Sequence, residues 1–549
     1  MQQMAPPGPD YIATVPNLLR SAVSRFPDDE FLVMRERRLS FRDAERESAE
    51  LAKGLLALGV GKGTRLGLLM SNRPDWAVIF LAASRIGALT ITISTFYQPP
   101  ELDWALQFHD IDTLIVEPRY LKNDYIQRLE ASVPGLAEQR GPELFLPEHP
   151  YLRRIIVWGG CDRRWALKGP DDILAAAAPH RLSDAFLAKV EDAVVPGDPA
   201  VIICTSGSTA RPKSVVHTHG VIVRTTHSFI DWIDIRPGDR SLHAMHFFWV
   251  GGLNHNLLPI LHVGGALCFP DTFNAEDLFE TIETERVTRL NAWTAQVAAL
   301  RETAKRVGRD LSMVSGLRDP VDSITGQVIP PDRRQGSIGM TETFGMHSLN
   351  RAFSPAPVGK TGNLGRNLPS VERKIIDPAS KKELGPNEVG ELYVRGYIVM
   401  DGYYKKEDYE VFTRDGFFPT GDSGYIDEDG YFFFKGRLND MIKTAGANVA
   451  PAEVEVVLNS FPEVAEAIVF GLPDEVRGEI VTAVVTAAGG SSISGEALRE
   501  RLRQALSPYK VPHEFVFLDE GEIPRTVSHK PRKPELRELV AARLGRSLG

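Results

Sequence analysis

Between residues 60 and 120 short apolar runs alternate with segments of helical period, and no other feature restricts the fold as much. Residues 65–70, 89–93 and 113–116 read as strands, and 75–86 and 100–108 as helices. Strands joined through helices pair in parallel, with the helices covering the sheet faces. The pattern resumes at 200–204, where Ala-Val-Ile-Ile-Cys is the continuous apolar run of a strand buried on both faces. Further strands are expected at 266–269, 373–376, 390–394 and 431–435, and a boundary near 436–440. Beyond it, 451–460 and 495–506 read as helices and 465–470, 480–487 and 514–518 as strands, enough for an independent α+β unit. The fold class expected is α/β. Residues 1–437 form a large body of packed parallel and mixed sheets with helices, and 438–549 form a small mobile lid.

Composition removes several alternatives. At ~150 residues per domain, 549 residues suggest three to four units. The 43% hydrophobic and 25% charged content is that of a globular protein with a large core. The net charge of −9 makes nucleic acid an unexpected partner. The three cysteines, Cys161, Cys204 and Cys268, have no paired spacing. Neither a disulfide framework nor structural zinc is expected, and a reducing cytoplasm is the natural setting. The start, MQQMAPPGPD, lacks the basic-then-apolar order of a secretory signal. The most apolar stretch, 76–93, is interrupted by Ser84, Arg85 and Gly87. It reads as a core helix and strand, because a membrane span needs ~20 apolar residues in succession.

The buried strand at 200–204 runs into Thr205-Ser206-Gly207-Ser208-Thr209-Ala210-Arg211-Pro212-Lys213-Ser214. Hydroxyls, backbone N–H groups and a lysine directly after such a strand suit a polyanion. By composition alone, a polar surface loop reads equally well.

The order of residues resembles the TSGSTGxPKG loop of the adenylate-forming superfamily, which includes acyl-CoA synthetases. Other segments follow in that family's order. Gly339-Met340-Thr341-Glu342 is similar to its GMTE, and Thr420-Gly421-Asp422 to its TGD. Residues 436–446, with the helix start at 449–455, resemble its hinge, and Pro524-Arg525-Thr526 with Lys530 resembles its PRTxxGK. The resemblance implies that a carboxylate is activated by ATP as an acyl-adenylate and passed to a thiol. It implies ATP/AMP, coenzyme A and Mg²⁺ as cofactors. Thr205, Ser206, Gly207, Ser208, Thr209 and Lys213 would hold phosphates. Thr341 would donate to the α-phosphate and Glu342 would hold Mg²⁺. Asp422 would accept the ribose hydroxyls, Arg437 would contact ribose or phosphate, and Ile338, Gly339 and Met340 would flank the nucleotide. Lys530 would serve adenylation. Lys443, with Gly446 beside the pantetheine arm, would serve thioester formation after the lid turns about Asn439–Asp440.

Residues 246–252 (His246-Phe247-Phe248-Trp249-Val250-Gly251-Gly252) resemble the segment lining the acyl pocket. With Trp293, they suggest a roomy apolar pocket in which His246, Trp249, Gly251 and Trp293 meet the substrate. No acidic or basic residue is evident to fix an amino group, which disfavours an amino acid. The histidines 243, 246, 255 and 262 show no metal-ligand spacing.

The departures from the family cluster on the ATP side. Ala210 and Ser214 replace loop glycines, Ile338 replaces an aromatic, His529 replaces the glycine before Lys530, and Pro531 follows it. The stretch 326–336 is short. A methyl group at 210 would cost ~1–3 kcal/mol if that position needs φ > 0. The parts serving thioester formation, Thr341, Asp422, Arg437, Lys443, Gly446 and a turn at Gly471-Leu472-Pro473-Asp474, follow the pattern. Two readings stand side by side. In one, adenylation is weakened or lost, and acyl-adenylate from a partner adenylating enzyme is thioesterified. In the other, both steps are retained. A stand-alone acyl-AMP ligase loading a carrier protein is a third reading, and a non-catalytic binder a fourth. Gly489-Gly490-Ser491-Ser492 reads as a hairpin loop within the lid, not as a carrier site.

Overall fold

The computed structural model describes residues 8–35, 37–205, 212–317, 320–322, 324–330, 333–438, 441–489, 491, 493–525 and 531–548, with the side chains of residues 294, 295, 436 and 437 excepted. The alternating segments form an eight-stranded sheet. Its parallel part runs in the order Pro199–Thr205, Leu89–Thr92, Arg65–Leu69, Thr113–Val116, Arg154–Trp158, Ala166–Gly169. Lys213–Thr218 and Gly402–Tyr403 extend it antiparallel beyond Pro199–Thr205. A second sheet, parallel except at one edge, is built from Arg289–Asn291, Asp239–His243, Gly265–Cys268, Glu30–Met34 and Arg37–Ser40.

The apolar stretch 76–93 is a core helix and strand. The helix Pro74–Arg85 is buried along nearly its whole length, and Trp76 packs on Phe247 with ring centroids 4.7 Å apart. The buried Arg85 is paired with Glu45 and Glu191 at 2.8 and 2.5 Å, which is what permits a charge on such a helix.

After residue 370 the topology changes. Glu372–Ile376, Gly390–Arg395, Phe418–Ile426 and Phe432–Arg437 form an antiparallel sheet. Ile442–Thr444, Ala447–Val449, Val464–Asp474, Gly478–Ala487 and Glu514–Phe517 then form a separate one, covered by the helices Pro451–Asn459, Gly495–Ala505 and Lys533–Arg543. A large body and a small C-terminal unit are therefore present, as the sequence led one to expect. Two local expectations fail. Residues 471–474 continue the strand Val464–Asp474, because all four pair with the neighbouring strand out to Gly478. The segment containing Gly489 and Ser491 joins a strand to the helix Gly495–Ala505 and is not a hairpin loop. No helix among the described residues is long and apolar enough to cross a membrane.

Candidate active site

A cavity of about 360 Å³ opens where the eight-stranded sheet, the Ile338–Met340 strand and the C-terminal unit meet. Its size suits a small-molecule ligand. One wall begins at Thr205, the last residue of the central strand, paired with Lys213 on the returning strand. Residues 206–211 lie outside the described chain, and with them the expected phosphate contacts Ser206, Gly207, Ser208 and Thr209 and the departure Ala210. Lys213 does not line the cavity. Its Nζ donates to the Tyr403 hydroxyl at 3.4 Å and lies 4.9 Å from the ring centre. That hydroxyl in turn donates to Glu342 Oε1 at 2.8 Å. Tyr403 thus links the two charged groups read from the sequence, a relation that no spacing in the chain reveals.

Ile338, Gly339, Met340 and Thr341 form a second wall. A Cβ on Gly339 would lie 2.2 Å from the Gly345 carbonyl oxygen, so only glycine fits there. Thr341 is held by its backbone, whose carbonyl accepts from His217 Nε2 at 2.8 Å. Burial pushes His217 down to about 3, so it is a neutral donor at pH 7. Glu342 is buried behind this wall, with Oε1 taken by Tyr403. No hydrogen bond reaches its Oε2 from the described residues. A carboxylate with one oxygen anchored and one available fits a Mg²⁺ bound mainly by nucleotide phosphates and water.

Asp422 is fully buried, and its strand register sets it opposite Arg437. The two residues assigned to the ribose are therefore cross-strand neighbours by backbone register, and Asp422 does not line the cavity.

The acyl side is aromatic, as expected, but it divides differently. Phe248, Trp249 and Gly251 line the cavity, whereas Phe247 belongs to the core. His246 does not reach the wall. It stacks on Phe248 at 4.6 Å, and burial pushes it down to about 3, so it acts as a neutral ring. The chain then takes a π-helical turn at Leu253–Leu257, a distortion common at functional sites. This turn brings Asn254 and His255 to the cavity, where Asn254 Nδ2 donates to the Phe344 carbonyl at 2.8 Å. Phe344, at φ 47°, ends the turn that follows Thr341.

The C-terminal unit supplies the last wall: Lys443, Gly446, Ala447, Asn448, Tyr509 and Lys510. Ile442–Thr444 and Ala447–Val449 form a hairpin joined by Ala445 and Gly446, both at positive φ (47° and 83°). Two such residues make the tight turn that matches strand twist. Its tip presses on Trp293, where a Cβ on Gly446 would lie 2.4 Å from the indole carbons. The family resemblance puts Gly446 beside a pantetheine arm, and here its need for glycine comes from the turn and from Trp293. The lysine expected to serve adenylation, Lys530, lies outside the described residues, as do Asn439, Asp440 and His529. Burial holds the nearby Tyr509 up to about 12 and Cys204 up to about 11, so both are neutral at pH 7. Tyr97 also lines the cavity, and sequence reasoning missed it together with Asn254, Tyr509 and Lys510. The only available signal for the last two was a tyrosine–lysine pair held between Pro508 and Pro512.

Comparison with known proteins agrees with this arrangement. The AMP-binding enzyme family model matches residues 19–404, and its C-terminal domain model matches 453–530. The chain is 29% identical to the putative acyl-CoA synthetase YngI of Bacillus subtilis (strain 168), over 96% of this chain and 97% of that one. It is 30% identical to an indoleacetate–CoA ligase of Aromatoleum aromaticum, over 92% and 94%. The amide bond synthetase McbA of Marinactinospora thermotolerans shares the fold, with a TM-score of 0.75 at 24% identity and coverage of 96% and 99%. The protein belongs to the AMP-binding enzyme family, in the acyl-CoA synthetase and ligase branch of the adenylate-forming superfamily, and is an acid–thiol ligase of the AMP-forming type.

Proposed function

We propose that this enzyme forms the coenzyme A thioester of a bulky hydrophobic carboxylic acid by way of its acyl-adenylate. The observation that carries this reading is one cavity shared by Thr341, the aromatic wall of Phe248 and Trp249, and the Lys443–Gly446 hairpin. In the first step the substrate carboxylate attacks the α-phosphorus of ATP and pyrophosphate leaves. In the second the thiolate of coenzyme A attacks the acyl carbon and AMP leaves. Thr341, steadied through its carbonyl by His217, donates to the α-phosphate. Glu342, oriented by Tyr403, would hold Mg²⁺, which when bound neutralises charge on the phosphates. Asp422 and Arg437 hold the ribose. The apolar wall excludes water from an adenylate that water would hydrolyse.

The division proposed is body 1–437 and lid 438–549, with Lys530 serving the first step and Lys443 the second. The lid position, with Lys443 at the cavity, favours an arrangement for thioester formation. The related indoleacetate–CoA ligase favours a flat aromatic or arylalkanoic acid as substrate.

The weakened-adenylation reading now has a narrower basis. Ser214 sits in regular strand pairing with Cys204, and its hydroxyl is hydrogen-bonded to His109 Nε2 at 2.8 Å. The strand absorbs that departure without strain, which leaves Ala210, Ile338, His529, Pro531 and the short stretch 326–336 to carry the reading. ATP–pyrophosphate exchange with a panel of bulky acids decides it, because robust exchange refutes impairment. Supplying synthetic acyl-adenylate with coenzyme A, and separately with a holo-carrier protein, tests the acceptor. Transfer to the carrier alone would overturn the coenzyme A assignment.

A further inference from the structure

One buried cation at the cavity has no part in the chemistry above. Lys510 is 1% exposed at the end of the lid turn Pro508–Lys510. Its Nζ donates to Glu453 Oε1, within the lid, at 2.6 Å. It also donates to Glu101 Oε1, on the body helix Pro99–Phe108, at 2.7 Å. Ser507 Oγ donates to the same Glu101 carboxylate, 3.0 Å from Oε1 and 2.9 Å from Oε2. Beside them the Tyr509 ring meets Phe96 of the body edge-on at 5.9 Å.

We propose that Glu101 is a positioning residue for thioester formation, the body-side half of a latch that holds Ser507 and Lys510 so that Lys443 and Gly446 face the cavity. This rests on the reading above, in which thioester formation is the step run with the lid in this position. A buried charge deprived of its partner is costly, so a contact that must open needs each half to keep a partner when parted. Both halves meet that condition. Lys510 keeps Glu453 when the lid leaves, and Glu101 keeps the backbone N–H of Gln98, which donates to its Oε2 at 2.9 Å as a helix cap. The latch therefore adds charge-assisted hydrogen bonds to the closed arrangement without trapping the lid there.

The test uses the full chain with two variants. Glu101→Gln keeps an oxygen for the cap and removes the charge, and Ser507→Ala removes one hydroxyl. Thioester formation from synthetic acyl-adenylate and coenzyme A is timed in single turnovers. A spin-label pair at positions 307 and 476, attached through ketone-bearing residues that spare the native cysteines, reads the lid position. Both sites are exposed, one on the body and one on the lid. Glu101→Gln should slow the step about tenfold or more and Ser507→Ala about three- to tenfold. Each variant should add a second population to the label distances, with unfolding temperatures near that of the unsubstituted protein. Two results would overturn the latch: a rate for Glu101→Gln within twofold of the unsubstituted enzyme, or a slowed rate with unchanged label distances. If the unsubstituted enzyme makes no thioester from any adenylate, the functional reading fails, while the label distances still decide the latch.

Discussion

Gly446→Ala isolates the contact that closes the cavity. Its cost comes from two sources. At φ 83° alanine takes the left-handed conformation, which costs roughly 1–2 kcal/mol. The new Cβ would also lie 2.4 Å from Trp293 Cδ2 and Cε2. That is more than an ångström inside normal carbon contact at about 3.5–4.0 Å. Either the indole shifts or the hairpin backs away, an overpacking cost of roughly 1–3 kcal/mol. The sum of roughly 2–5 kcal/mol falls on the closed arrangement, so thioester formation should slow by about thirty- to several-thousand-fold. Stopped-flow mixing of preformed acyl-adenylate with coenzyme A measures it. Trp293→Ala in the same chain should restore the steric share, so the double-mutant cycle should show a coupling of about 1–3 kcal/mol. A single variant within threefold of the unsubstituted enzyme, or a cycle without coupling, would refute the argument.

Three further outcomes follow from the site and its surroundings. Tyr403→Phe removes the hydroxyl between Lys213 and Glu342, and the KM for MgATP should rise about three- to tenfold. An unchanged KM separates Glu342 from metal binding. Asp422→Asn should weaken AMP binding about tenfold by calorimetry, since one of two buried oxygen acceptors becomes an amide donor, and equal affinity would remove Asp422 from the nucleotide site. Acid should unfold the protein early. Burial pushes His109, His219 and His255 down to about 4 and His217, His246 and His262 down to about 3. Below pH ~6.5 the unfolded chain takes up protons that the folded chain refuses, so stability falls as the pH drops from about 6.5 toward 4. Each such histidine contributes up to ~1.4 kcal/mol per pH unit, so unfolding should set in between about pH 6 and 5. A circular-dichroism signal unchanged down to pH 4.5 would contradict this.

Much of the fold could be read from order along the chain, because hydrophobic period is a local property. The strand at 113–116 falls where its apolar run predicts, and the helix expected at 100–108 is Pro99–Phe108. The reading of 471–474 as a turn failed because its Gly and Pro suggested a break, while a long partner strand held them in register. That Thr341, Lys443 and Gly446 would meet at one cavity was legible through the order of short motifs along the chain. Tyr403, Asn254 and Glu101 were not, since each acts on a residue far away in sequence and carries no local mark.

By itself, then, the sequence determined the α/β class, the body with its smaller C-terminal unit, and the adenylate-forming family, since these rest on periodicity and on short contiguous motifs. Only the tertiary structure decided which aromatics face the cavity and which lie in the core. It also decided that Ser214 is accommodated by His109, and that Gly446 answers to Trp293. Those outcomes depend on distances between segments more than a hundred residues apart, and they are settled only when the sheets and the C-terminal unit pack against one another.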